Sequence, residues 1–189
     1  AVFMKKKEFI IIHGLNGSPK GHWQDFLYED LKELGENVFF PQFSNNNNPN
    51  LNLWLEQLHK LEKHINENTV VIAHSMGVIL WLNYLNKYKK TRILNTILVA
   101  PPSNDFLKSN KTTNSFSNFI LDKDLFHDST NKSLLIASTN DEYCTETAKK
   151  AFSDILNINY LELLADSGHI NIDSGFGRWD DILKIALDN

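Results

Sequence analysis

The sequence predicts an α/β fold: a mainly parallel sheet of six strands with helices on both faces. Three observations carry this. Short apolar, β-branched runs alternate with longer segments of helical period. The strand runs are continuously hydrophobic, as expected of strands buried on both faces. A length of 189 residues with 42% hydrophobic residues suits one domain around one sheet. Residues 1–189 are therefore read as a single domain, with residues 1–7 as a tail.

Phe9–Ile12 is the first strand. Trp23, Phe26, Leu27, Leu31 and Leu34 then share one helical face, and Gly35 stands where a C-terminal stop belongs. Val38–Phe40 is the second strand, ended by Pro41. Residues 45–50 are polar and without period, and this asparagine run reads as a low-complexity loop. Leu51, Trp54, Leu55, Leu58, Leu61 and Ile65 give a second amphipathic helix, and Thr69–Ala73 the third strand. Val78–Tyr88 is apolar on most sides, as in a helix packed deep against a sheet. Ile93–Ala100 is the fourth strand, stopped by Pro101 and Pro102. Residues 101–131 form a polar insertion, expected to border the functional site, with one short helix around Phe116–Leu121. Ser133–Ala137 is the fifth strand, Glu142–Leu156 a helix and Ile158–Leu163 the sixth strand. Trp179, Ile182, Leu183 and Ala186 mark a last helix.

The net charge of −4 argues against a nucleic-acid partner, which favours a basic surface. No apolar run approaches the ~18 residues of a membrane span. Lys5–Lys7 is followed by an apolar run shorter than the ~7–15 residues of a signal peptide. The single cysteine, Cys144, has no internal disulfide partner. It reads as an inert structural thiol in a reducing, cytoplasmic setting. His59 and His64 do not form an H-E-x-x-H pair, so no metal is expected. No cofactor is expected either.

Four segments carry chemistry, each at the end of a predicted strand. Ala73-His74-Ser75-Met76-Gly77 approximates the G-x-S-x-G turn between a strand and a helix, with alanine in place of the first glycine. A serine there projects its hydroxyl above the sheet edge. His13-Gly14-Leu15-Asn16-Gly17 follows the first strand. Acyl transfer needs two backbone N–H donors for the developing oxyanion, each worth roughly 3 kcal/mol. Met76 is one candidate donor and Leu15 the other, with Asn16 as the alternative to Leu15. His13, Asn16, His22 and His74 are candidate substrate contacts. Ser167-Gly168-His169-Ile170-Asn171 follows the last strand, where a histidine can reach back as general base. Asp141 follows the fifth strand and can orient that histidine, with Glu142 and Asp105 as rival acids. The order Ser75, Asp141, His169 is that of the α/β-hydrolases.

With these residues in place the chain resembles the small serine-hydrolase family of the α/β-hydrolase fold that includes YdeN and retinoblastoma-binding protein nine. The resemblance runs from about Phe9 to Leu187. It rests on His13-Gly14 with His22-Trp23, His74-Ser75-Met76-Gly77, Asp141, Gly168-His169-Ile170-Asn171, and Gly175-Phe176-Gly177 with Trp179. It implies a reduced α/β-hydrolase sheet ordered 2-1-3-4-5-6, with Ser75, Asp141 and His169 as nucleophile, acid and base. The expected reaction is cleavage of a small carboxylic ester or thioester through an acyl-enzyme. A catalytically silent binding module and an acyltransferase are the alternatives.

Overall fold

Side chains along a strand alternate between the two faces of the sheet, so a strand apolar at every position feeds two cores at once. The computed structural model, which describes residues 5–88, 91–158 and 160–188, has this arrangement. Its six strands form one parallel sheet in the order β2-β1-β3-β4-β5-β6, as the resemblance implies. They are β1 (Glu8–Ile12), β2 (Asn37–Phe39), β3 (Thr69–His74), β4 (Ile93–Val99), β5 (Thr130–Ser138) and β6 (Tyr160–Leu164).

Ile10, Ile12, Val71, Ala73, Leu98 and Leu135 face one core. The helices α2 (Leu51–His59), α3 (Met76–Tyr88), α5 (Lys123–Ser129) and α6 (Glu146–Leu156) contribute to it. Phe9, Ile11, Val70, Ile72, Ile97, Val99 and Ile136 face the other, under α1 (Trp23–Glu33) and α7 (Asp180–Leu187). The chain leaves β1 for β2 in one direction and returns past it to β3. That reversal opens a crevice above the ends of β1 and β3, where ligands bind in open α/β sheets.

Several elements differ from expectation, each for a local reason. Residues 101–131 hold α4 (Asn104–Ser109), a 3-10 turn at Asn114–Phe116 and α5, and the helix expected at Phe116–Leu121 is not formed. These pieces are too short to show a period. They are set by caps: Ser103 accepts from the Phe106 amide and Asp122 from the Leu125 amide. α6 starts at Glu146, later than expected, because Thr145 caps it by accepting from the Ala148 amide. α2 ends at His59, and a separate 3-10 turn spans Glu62–His64. Residues 1–4 of the expected tail, and residue 159 of the expected sixth strand, lie outside the described residues.

Candidate active site

β3 ends at His74 and α3 begins at Met76, which leaves Ser75 alone at the junction. Its φ of 56° is left-handed. A non-glycine residue there carries strain of ~1–3 kcal/mol. Backbone packing holds it in place. A Cβ added at Gly77 would stand 2.5 Å from the Ile12 carbonyl oxygen, and one at Gly14 would stand 3.0 Å from the Met76 nitrogen. Gly77 therefore needs to be glycine, and Gly14 lets the β1 loop and the Ser75 turn interlock closely. The Ser75 amide donates to the Val99 carbonyl at 2.9 Å.

The Ser75 hydroxyl donates to Nε2 of His169 at 2.8 Å. Nδ1–H of His169 donates to Asp141 Oδ2 at 2.9 Å. The carboxylate side chain is 1% exposed, and its Oδ1 also accepts from the Tyr143 amide. The structure thus brings together Ser75, His169 and Asp141. Asp105 and Glu142 make no hydrogen bond to the imidazole among the described residues. The loop that carries His169 is braced by the loop that carries Asp141. Ser138 Oγ accepts from the Ser167 amide, Thr139 Oγ1 from the Asp166 amide and Asn140 Oδ1 from the Gly168 amide, at 2.9, 2.9 and 2.7 Å. Gly168 has φ +54° and packs on Ser174, so a side chain at this position would be strained.

Three further histidines surround the site, and their partners fix their tautomers. His13 accepts from the Phe43 amide through Nε2 and donates to the Gly14 carbonyl through Nδ1. It is fully buried, with burial holding its pKa down. His13 is therefore not a substrate contact: both ring nitrogens are engaged in shaping the β1 loop. His22 caps α1 by accepting from the Gln24 amide through Nδ1, leaving its proton on Nε2. Burial, then the charge of His169, lowers its pKa to about 4. His74 donates through Nε2 to the His169 carbonyl at 3.0 Å, and burial holds it far below the usual histidine range. His22 and His74 line the cleft as neutral rings.

The cleft encloses about 390 Å³. Leu15, Asn16 and Met76 line it, and Phe106, Tyr143 and Ile172 supply apolar wall. The Asn16 amide donates to the Asn46 carbonyl at 2.8 Å, so it has no free proton for an oxyanion. The Leu15 and Met76 amides have no partner among the described residues, and Met76 opens α3, where helix N–H groups point outward. The asparagine run is thus a structural part of the site: Asn46 Nδ2 also lies against Gly17.

Sequence reasoning missed Tyr143, whose ring stands edge-on to His169 with centroids 4.6 Å apart, and Phe106, which packs on Tyr143. Tyr143 lies two residues after Asp141 in one tight turn, and that spacing was the available signal. Among the described residues, no group of three or more His, Cys, Asp or Glu is arranged to hold a metal ion, and no helix is long and apolar enough to cross a membrane. Cys144 is buried, and burial followed by the Asp141 charge pushes its thiol up to about 12, consistent with an inert thiol.

Residues 9–187 match the family described as serine hydrolase. The chain belongs to this family. Over 71 residues this serine hydrolase is 34% identical to YdeN of Bacillus subtilis (strain 168), a stretch covering 38% of the chain and 37% of that protein. The solved structure of the B. subtilis ydeN product shares 24% identity and superposes with a TM-score of 0.85, over 95% of this chain and 96% of that one. A YdeN-like hydrolase from Pectobacterium atrosepticum shares 19% identity with a TM-score of 0.74, over 95% and 88% of the two chains. Both structural likenesses show the same fold.

Proposed function

We propose that this serine hydrolase cleaves a small carboxylic ester or thioester through an acyl-enzyme, with Ser75 as nucleophile, His169 as general base and then acid, and Asp141 as the orienting carboxylate. The observation that carries the reading is the unbroken relay from Ser75 Oγ through His169 to Asp141, at 2.8 and 2.9 Å, opening on a cleft of about 390 Å³.

Nε2 of His169 takes the hydroxyl proton as Oγ attacks the substrate carbonyl carbon. The carbonyl oxygen becomes an oxyanion, and the Leu15 and Met76 amides donate to it. The tetrahedral intermediate collapses, the bond to the leaving alcohol or thiol breaks, and His169 returns the proton to it. A water then repeats the sequence on the acyl-Ser75 ester, releasing the acid and restoring the hydroxyl. Asp141 holds the tautomer that leaves Nε2 free to accept and stabilises the imidazolium formed at each attack. The cleft is at the small end of the usual ~300–1,000 Å³ for ligand sites, which favours short acyl groups.

The test is labelling with a fluorophosphonate followed by peptide mapping. The label is expected on Ser75, with none in Ser75→Ala. Undiminished labelling of Ser75→Ala refutes the assignment. A p-nitrophenyl ester panel of rising acyl length is expected to peak at acetate or butyrate.

A further inference from the structure

Two successive carbonyls of the base loop are captured by ring donors from distant parts of the chain. His74 Nε2–H donates to the His169 carbonyl at 3.0 Å, and Trp23 Nε1–H donates to the Ile170 carbonyl at 2.8 Å. Between those carbonyls lies Ile170, fully buried, with φ of 51°. A β-branched residue in the left-handed region is a true outlier, because its Cβ crowds the backbone. Such strain persists only where the surroundings over-determine it. Here they do. The Ile170 amide donates to the Ser167 carbonyl, its side chain packs in the core under α1 and α7, and the two rings hold the carbonyls on either side.

We propose that Trp23 and His74 form a clasp that holds Ile170 left-handed and thereby aims the His169 imidazole at Ser75. This rests on the relay reading above. Trp23 is a positioning residue: its ring stands at the start of α1, is buttressed edge-on by Trp179 at 5.3 Å, and lies outside the lining of the cleft. His74 ends β3, one residue before Ser75, and its Nε2 points at the base loop's backbone, away from the relay. The clasp therefore fastens the base to the two elements bordering the cleft. Turning Ile170 out of its conformation would pull its carbonyl from the indole. That would leave a buried N–H without a partner, an expensive state, so donor and strain sustain each other.

The experiment is a double-mutant cycle on p-nitrophenyl acetate hydrolysis. Trp23→Phe keeps an aromatic ring and removes the donor. It is expected to lower kcat roughly 10- to 100-fold with KM unchanged, the scale of a misplaced catalytic group. Glycine takes a positive φ without cost, so in an Ile170→Gly background the same substitution is expected to cost less than about threefold in kcat. Equal losses in the two backgrounds, or an unchanged kcat in Trp23→Phe, overturn the clasp. Should Trp23→Phe fail to fold by circular dichroism, 3-benzothienylalanine at position 23 preserves the ring shape without the N–H, and the same pair of outcomes decides. Fluorophosphonate mapping of the unsubstituted chain separates the two ideas. A label away from Ser75 defeats the relay reading, whereas a label on Ser75 with additive losses defeats the clasp alone.

Discussion

The Ser75 turn and the His169 loop each deliver one side chain to the same rim, and they are built by opposite means. The Ser75 turn is fixed by closeness of backbone: no Cβ fits at Gly77, and one at Gly14 would press on backbone atoms at 3.0 Å, where the β1 loop and α3 meet. The His169 loop is fixed largely by side-chain donors and acceptors. Ser138, Thr139 and Asn140 accept from its amides, and Trp23 and His74 donate to its carbonyls. The first device is sensitive to volume. The second is sensitive to the loss of a hydrogen-bonding atom. A hydrolase needs both, because the nucleophile must be rigid while the base must hold orientation through a change of charge.

Removing the reacting groups gives the largest effects. Ser75→Ala is expected to lower kcat by on the order of 10⁶. Asp141→Asn is expected to lower it by roughly 10⁴ with the fold retained by circular dichroism, since an amide favours the wrong tautomer. Gly77→Ala sharpens the contrast between the loops. A Cβ 2.5 Å from a backbone oxygen forces the β1 loop away, and a loss of more than ~3 kcal/mol in denaturant unfolding is expected. A Gly77→Ala protein as stable as the parent would break the comparison.

Acid sensitivity is expected around the base loop, where neutral rings are buried beside it. His22 titrates at about 4 in the folded chain and near 6.5 when unfolded. The unfolded state therefore takes up this proton first as pH falls. The stability it contributes is full above pH 6.5, declines between 6.5 and about 4, and changes no further below that. The size is about 3 kcal/mol. His22→Asn keeps a capping acceptor and should shrink the difference in unfolding free energy between pH 7 and pH 4.5. An unchanged difference would remove His22 from this account. Asn140→Ala is expected to give the smallest change, about 1 kcal/mol of stability for an exposed brace, with a measurable fall in kcat.

The contrast also explains which features could be read from the chain. Strands buried on both faces announce themselves by composition, so β1, β3 and β4 were evident. Ser75 is evident because a turn governed by volume leaves small residues at fixed spacing, here Ala73 and Gly77. Among the three candidate acids, the sequence favours Asp141 for its position after β5, and Asp141 is the one hydrogen-bonded to His169, although the expected start of α6 is displaced by the Thr145 cap. Residues 101–131 were not readable, because α4 and α5 are too short to carry a period and depend on Ser103 and Asp122. His13 was misassigned: its sequence neighbours suggest a cleft, but its ring turns inward to the Phe43 amide. The left-handed Ile170 had no local signal at all, since nothing in a β-branched residue predicts that backbone. What surrounds it is distant in sequence: Trp23 and His74 bond the flanking carbonyls, and the side chain packs in the core under α1 and α7.

The asparagines at 45–48 look interchangeable by letter, yet Asn45, Asn46 and Asn48 hold different posts. Asn45 bends the chain at φ 51° and accepts from the Asn48 amide, while Asn46 supplies the carbonyl that occupies the Asn16 amide. Inserting or deleting one asparagine would keep the composition of this stretch but put a different member of the run opposite Asn16. The homopolymer thus works like a ruler, and its length, more than its chemistry, sets how the mouth of the cleft is framed.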